Sequence, residues 1–139
     1  MNNSAINTVI STQSNISIEI LIRSIKILDI GFITIIYFIS AILISKFLNY
    51  LFGPYDPEKD KDKSKYLIGL ELCGIIWLMG ISIYLIRNIV EKIPSPFDTM
   101  YGFQHNKVKE LSSAGIYTII LYQSFTYFKL KLELFLKIS

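Results

Sequence analysis

Residues 30–52, IGFITIIYFISAILISKFLNYLF, decide the fold class, because 23 consecutive positions carry a single charged side chain, Lys46. As a helix rising about 1.5 Å per residue, this segment is long enough to cross a hydrocarbon core of about 30 Å. Two more apolar segments follow it. Residues 66–86 (YLIGLELCGIIWLMGISIYLI) carry a single charge, that of Glu71, and residues 111–128 (LSSAGIYTIILYQSFTYF) are shorter and more aromatic. The sequence therefore predicts an all-α membrane protein with three transmembrane helices, called spans one, two and three.

The segments outside the spans have the polarity of structure at a membrane surface. Residues 1–15 are polar and uncharged, which predicts a loose tail, and residues 16–29 mix Ile and Leu with charges, as interfacial helices do. Residues 53–65 form a charged loop, and residues 87–110 form a second loop that two prolines stiffen and order. Residues 129–139 alternate Leu with charge, a pattern that suits a strand, but continuation from span three favours an interfacial helix. Three spans place the termini on opposite faces.

The composition excludes several classes of function. Hydrophobic residues make up 52% of the chain and charged residues 18%, with a mean hydropathy of +0.46, which argues against an ordinary water-soluble enzyme. A net charge of +3 without a basic run gives no indication of nucleic-acid binding. The single cysteine, Cys73, and the single histidine, His105, are too few for a zinc site or a nucleophile with its base. We therefore expect no enzymatic activity, no metal or other cofactor and no small-molecule substrate, and the spans are too poor in polar residues for a channel.

Four charged residues at the ends of spans one and two form two candidate ion pairs. Lys46 and Glu71 lie near the face of the first loop, whereas Asp29 and Arg87 lie near the opposite face. The residue numbers of the two pairs have nearly equal sums, so one antiparallel register would bring both pairs together. The alternative is that Lys46 and Arg87 extend to headgroups while the two carboxylates meet water. A role in proton or ion transport is the remaining possibility for charges in a span.

The second loop is the candidate site for a protein partner. Its prolines reduce the ordering cost of binding, its aromatic-Gly-aromatic turn supplies apolar contacts, and its Asp and His add polar specificity. The alternative is a plain interfacial turn that begins the third helix, with Asn106 as its N-cap. The residues assigned to docking are Pro94, Pro96, Phe97, Asp98, Tyr101, Gly102, Phe103 and His105.

Residues 93–135, IPSPFDTMYGFQHNKVKELSSAGIYTIILYQSFTYFKLKLELF, resemble the C-terminal segment of small integral membrane proteins of nucleocytoplasmic large DNA viruses. The resemblance implies a structural or assembly protein of the internal virion membrane, a minor capsid type that binds the lipid bilayer and other membrane or capsid proteins. The positions that carry it are Pro96, Asp98, Gly102, His105, Lys109, Glu110 and Leu111.

The abundance of residues with A/T-rich codons, including 27 isoleucines, is compatible with such a viral source. Protist mitochondrial genomes share this bias. The alternative function is therefore a small hydrophobic accessory subunit of a respiratory or ATP synthase complex in the mitochondrial inner membrane.

Overall fold

The computed structural model describes the backbone of residues 3–108 and 114–137, and the side chains of residues 15–108 and 114–137. Within these ranges the chain is helical and contains no strand, which confirms the all-α prediction. Two short 3₁₀ turns, Met100–Gly102 and His105–Lys107, lie in the loop after the third helix. The α-helices, in chain order, are α1 (Asn3–Phe52), α2 (Pro57–Lys61), α3 (Lys65–Val90), α4 (Gly115–Ser124) and α5 (Thr126–Lys137).

Two helical segments are long and apolar enough to cross a membrane, Asn15–Phe52 of α1 and Lys65–Val90, which is α3. They contain predicted spans one and two. Gly53, with φ +69, ends α1, because its left-handed backbone conformation suits glycine and stops the helix. Ser64 begins α3, since its hydroxyl accepts a hydrogen bond from the Leu67 N–H. The short connection between the two helices contains α2.

The structure corrects the prediction for the N-terminal segments. A loose tail over residues 1–15 and a separate interfacial helix over residues 16–29 were expected, but α1 runs without interruption from Asn3 to Phe52. Extending an existing helix adds a hydrogen bond for each residue without a new nucleation cost, so polar residues can join it. Glu19 and Arg23, one turn apart, support this part of α1 with an ion pair of 2.6 Å.

The third predicted span is not one helix in the described residues. Residues 109–113, which end the second predicted loop and begin span three, lie outside the described range, and the helix that follows is broken at Phe125. Asn49 of α1 lies at the break: its side-chain amide donates to the Ser124 carbonyl at 3.0 Å, and its carbonyl accepts from the Tyr127 N–H at 3.4 Å. The break is tolerated because Asn49 replaces hydrogen bonds that a continuous helix would have made. Residues 129–137 of the predicted tail are helical, as part of α5.

The two halves of the broken helix pack on different partners. α4 packs mainly on α1, where the rings of Tyr37 and Tyr117 meet edge to face with centroids 6.4 Å apart. α5 packs mainly on α3, and Phe125 between them is fully buried against Phe52. Together α4 and α5 carry the chain from the end of α3 back towards its beginning. One cluster of polar side chains lies near each end of the packed helices, one around Asp29 and one around Lys131.

Candidate functional site

The loop after α3, residues 91–108, is fastened to α1 through Asp29. The imidazole Nδ1 of His105 lies 2.8 Å from Asp29 Oδ2 and 2.9 Å from Asp29 Oδ1, and the Ser95 hydroxyl donates a hydrogen bond to Asp29 Oδ1. All three side chains are buried, and Asp29 has no exposed surface. A buried carboxylate is stable only where hydrogen bonds replace its hydration, so Asp29 and the loop depend on each other. We call these three residues the clamp.

Hydrogen bonds within the loop position His105 for the clamp. The Asp98 carboxylate accepts from the His105 backbone N–H at 2.9 Å, and the Thr99 N–H donates to the Phe103 carbonyl at 2.9 Å. Gly102 between them has φ +81, a conformation that a side chain would strain. Tyr101 also has a positive φ, 51°, which is uncommon for a residue other than glycine. The loop therefore has a defined turn that orients both its inward and its outward side chains.

The structure divides the predicted docking residues into an outward and an inward group. Phe103 and His105 are predicted docking residues, but Phe103 is buried in the hydrophobic core and His105 is buried in the clamp. Phe97 is half-buried. Tyr101 is 66% exposed, and its neighbour Met100, which was not assigned to the surface, is 42% exposed. The outward members of the predicted set are Pro94, Pro96, Asp98, Tyr101 and Gly102.

The clamp contains the residue types of a nucleophilic triad in a different arrangement. In such a triad the histidine accepts the proton of the serine hydroxyl, whereas the Ser95 hydroxyl donates to Asp29 and accepts from the Phe97 N–H at 3.1 Å. His105 Nε2 is buried and has no hydrogen-bond partner in the described part of the chain. This geometry supports a role of Ser95 in holding the loop. Residues 15–108 and 114–137 also contain no group of three or more His, Cys, Asp or Glu side chains that could hold a metal ion.

Neither of the two ion pairs predicted between spans one and two forms in the described part of the chain. Asp29 belongs to the clamp, and Arg87 Nε pairs with Glu91 Oε1 at 3.1 Å, just beyond the C-terminal end of α3. Lys46 is exposed and forms no ion pair with the side chains that the structure describes. Glu71 is turned towards α5 and the first loop. The predicted register used depth alone, but the rotation of each helix decides which charges meet.

The second polar cluster is a closed ring of four charges at the start of α3. Lys63 Nζ lies 2.7 Å from both Asp60 Oδ1 and Glu71 Oε1. Lys131 Nζ of α5 completes the ring, 2.9 Å from Asp60 Oδ2 and in contact with Glu71 Oε2. Asp60 and Lys131 are buried, whereas Lys63 and Glu71 are each about one third exposed. We call these four residues the ion-pair ring; each charge in it has two partners of the opposite sign.

The ring shifts the pKa values of its three members outside α3 towards their charged forms. Burial alone would raise the pKa of the Asp60 carboxyl, but the hydrogen bonds from Lys63 and Lys131 outweigh burial and hold the pKa below its usual value. Hydrogen bonds to Asp60 and Glu71 raise the pKa of Lys63. Burial would lower the pKa of Lys131, but its hydrogen bonds to Glu71 and Asp60 raise it overall. Asp60, Lys63 and Lys131 are therefore charged near neutral pH.

Comparison of the chain with protein-family models, with curated proteins and with solved structures finds no match.

Proposed function

We propose that the chain is a membrane-embedded structural protein that docks a protein partner through the loop over residues 91–108. One observation carries this proposal: the clamp fixes a defined turn, with two apolar side chains facing outward, at one end of a pair of long apolar helices. Met100 and Tyr101 are those side chains. The helices supply the anchor and the turn supplies the contact surface.

The uncovered apolar surface of α1 and α3 supports the membrane anchor. Large side chains such as Phe38, Leu43 and Trp77 are more than half exposed, although they lie in the middle of the two helices. Contiguous apolar surface of this kind is a liability in water, whereas lipid chains cover it without a cost. The 26 residues of α3 extend over about 39 Å, which exceeds a hydrocarbon core of about 30 Å.

The turn supports the docking role because its conformation is fixed before a partner binds. Its backbone is held by internal hydrogen bonds and by the clamp, so little ordering cost remains at binding. Tyr101 offers a large apolar surface with few rotatable bonds, and Met100 beside it adapts to irregular surfaces. This outward pair replaces the inward Phe103 as the apolar anchor.

The viral assignment is part of the same proposal and rests on the sequence resemblance. Within the described residues, the resembling positions Asp98, Gly102 and His105 are those that fix the turn, and Pro96 lies on its outer surface. The resembling positions Lys109, Glu110 and Leu111 lie outside the described range. A pattern that fixes a docking turn suits a protein that ties an internal virion membrane to capsid proteins.

A photo-crosslinking experiment tests both halves of the proposal. The full chain is produced in its own particles or membranes with a photoreactive phenylalanine analogue in place of Tyr101, or of Tyr84 as a control. Tyr84 is equally exposed, 66%, but lies on the apolar surface of α3. We expect the chain to stay in the membrane pellet in alkaline carbonate, with protein adducts from position 101 and lipid adducts from position 84.

Each contrary result points to a different error. Release into the carbonate supernatant would reject the membrane anchor. Lipid adducts alone from position 101 would reject docking and leave an interfacial turn. A respiratory or ATP synthase subunit crosslinked at position 101 would replace the viral assignment with the organellar one, and a capsid protein would support the viral one.

A further inference from the structure

A groove of about 480 Å³ runs along the surface of α3 and ends at the ion-pair ring. Its lining includes Gly74, Trp77 and Leu78 of α3, together with Phe52 of α1 and Tyr127 of α5. Lys63 and Glu71 close its end. The groove is thus apolar along most of its length. Three charged side chains of the ring line its end, the partly exposed Lys63 and Glu71 and the buried Lys131.

The two partly exposed charges at the end of the groove retain unused hydrogen-bonding capacity. An ammonium group has three N–H donors, and Lys63 uses two of them, for Asp60 and Glu71. A carboxylate oxygen has two acceptor sites, and each Glu71 oxygen has one ion-pair partner among the described residues. Lys63 and Glu71 are also the two exposed members of the ring. A ligand that enters the groove therefore meets a free donor on Lys63 and free acceptor sites on Glu71.

We propose that this groove binds a single phospholipid whose headgroup contains both a phosphate and a primary ammonium, as in phosphatidylethanolamine. The phosphate accepts a hydrogen bond from Lys63, the ammonium donates to Glu71, and an acyl chain lies along Gly74, Trp77 and Leu78. From Glu71 to Leu78 the groove descends about 10 Å along α3, the direction an acyl chain takes from the headgroup. The proposal rests on the membrane location proposed above.

Charge complementarity selects this headgroup over two common alternatives. The ring is neutral overall, so a purely anionic headgroup would gain from Lys63 but would face the Glu71 carboxylate. A choline headgroup has the right charges, but its quaternary nitrogen has no N–H to donate. The loss of one such hydrogen bond corresponds to an affinity about three to ten times weaker.

The sole tryptophan, Trp77, makes the groove directly observable. The full chain is reconstituted in phosphatidylcholine bilayers that contain the same small fraction of an acyl-brominated lipid with an ethanolamine, choline or glycerol headgroup. Bromine quenches tryptophan fluorescence at short range, so the ratio of quenching between headgroups reports local enrichment at Trp77. We expect the ethanolamine lipid to quench about three to ten times more efficiently per molecule than the choline lipid.

Two glycines of α3 provide a matched pair of variants. A Cβ added at Gly74 or at Gly80 meets no atom within 4 Å, so the two positions offer the same local space for the first atom of a larger side chain. Gly74→Leu fills the proposed groove, whereas Gly80→Leu fills a separate apolar groove between α3 and α4. Gly74→Leu should bring the ethanolamine-to-choline ratio to one, and Gly80→Leu should leave it unchanged.

The outcomes distinguish this proposal from the proposed membrane location. Equal quenching by the three headgroups in the wild-type chain would overturn the site, and so would an ethanolamine preference that survives Gly74→Leu. In either case a chain that remains in the carbonate pellet is still a membrane protein. Preference for the glycerol lipid would overturn the ammonium contact at Glu71 and thus the proposed headgroup. A chain that does not enter the bilayer at all would reject both proposals together.

Discussion

Asp29 and His105 are 76 residues apart in the chain, and their side chains meet in a buried hydrogen-bonded pair with 2.8 Å between Asp29 Oδ2 and His105 Nδ1. The pair joins the long first helix to the loop that follows α3. Because a buried carboxylate without partners is strongly destabilised, α1 and the loop are held together whenever Asp29 is desolvated. The outward face of the loop therefore has a fixed position relative to the helices, which is what a docking surface requires.

The first prediction concerns release of this loop. His105→Ala leaves Asp29 with the Ser95 hydroxyl as its remaining clamp contact, and one lost partner of a buried group costs about 1–3 kcal/mol. We expect trypsin to cleave after the exposed Lys107 about ten to a hundred times faster, because cleavage follows the open population. Gln104→Ala, at an exposed neighbouring position, serves as the control. An unchanged cleavage rate in His105→Ala would mean that the clamp does not hold the loop.

The sequence was sufficient for the helical class and for the two long apolar helices, because an uninterrupted apolar run of about 20 residues is a local property. Helix rotation is not a local property. The position of Asp29 along span one predicts that it lies at the same membrane face as the second loop, and this was the sequence signal for the clamp. Only the packing of the helices decides that Asp29 meets His105 rather than Arg87. Asp60 and Lys131 were missed altogether, because a lysine-rich loop and an alternating tail both look solvated.

The second prediction tests which residue pairs with Glu71. Glu71→Lys adds a third cation to the ion-pair ring and should lower the free energy of unfolding by about 1–3 kcal/mol. Adding Lys131→Glu makes positions 71 and 131 an opposite-charge pair again, although it places like charges in the contacts with Lys63 and Asp60, so the double variant should recover at least about 1 kcal/mol relative to additivity. Adding Lys46→Glu should give simple additivity, since Lys46 lies outside the ring. Unfolding by denaturant in detergent micelles measures these three variants and the single variants Lys131→Glu and Lys46→Glu that additivity requires. Recovery with Lys46→Glu but not with Lys131→Glu would contradict the observed ring.

The third prediction is the pH dependence that the ion-pair ring gives to stability. Folding lowers the pKa of Asp60. Asp60 therefore contributes to stability at pH values above the ordinary aspartate pKa, and this contribution is lost as the pH falls through the lowered pKa of the folded chain. Folding raises the pKa values of Lys63 and Lys131. The two lysines therefore contribute to stability at pH values below the ordinary lysine pKa, and this contribution is lost as the pH rises through their raised pKa values. Stability should therefore be flat from about pH 5 to pH 9 and fall on both sides.

A matched variant isolates this contribution from other titrating groups. The double variant Asp60→Asn with Lys131→Met removes one cation and one anion, so the net charge is unchanged. The difference in Tm between the wild-type chain and the double variant should be constant between about pH 5 and pH 9. Below and above this range, the Tm of the wild-type chain should fall relative to that of the double variant. A difference that moves in favour of the wild type on acidification would have the wrong sign for a lowered Asp60 pKa.

The last prediction concerns Asn49, whose amide spans the break between α4 and α5. Asn49→Leu leaves the Ser124 carbonyl and the Tyr127 N–H without the partner that they have in the structure, at a cost of about 1–3 kcal/mol for each unsatisfied group. Asn49→Asp keeps an acceptor for the Tyr127 N–H but loses the donor to Ser124, so its effect should be smaller. The control is Tyr50→Leu, because Tyr50 is the next residue of α1 and is 86% exposed.

Two responses to Asn49→Leu are distinguishable by the distance between the two helices. If the break persists, the free energy of unfolding falls and the distance between spin labels on exposed Ile119 and Leu136 is unchanged. If the chain instead closes the break into one straight helix, that distance lengthens and Lys131 leaves the ion-pair ring, because a straightened α5 no longer follows α3. The first response shows that the Asn49 amide stabilises the packing at the break, and the second shows that it is required for the break itself. Stability and label distance both equal to those of Tyr50→Leu would show that the break is encoded within residues 115–137 alone.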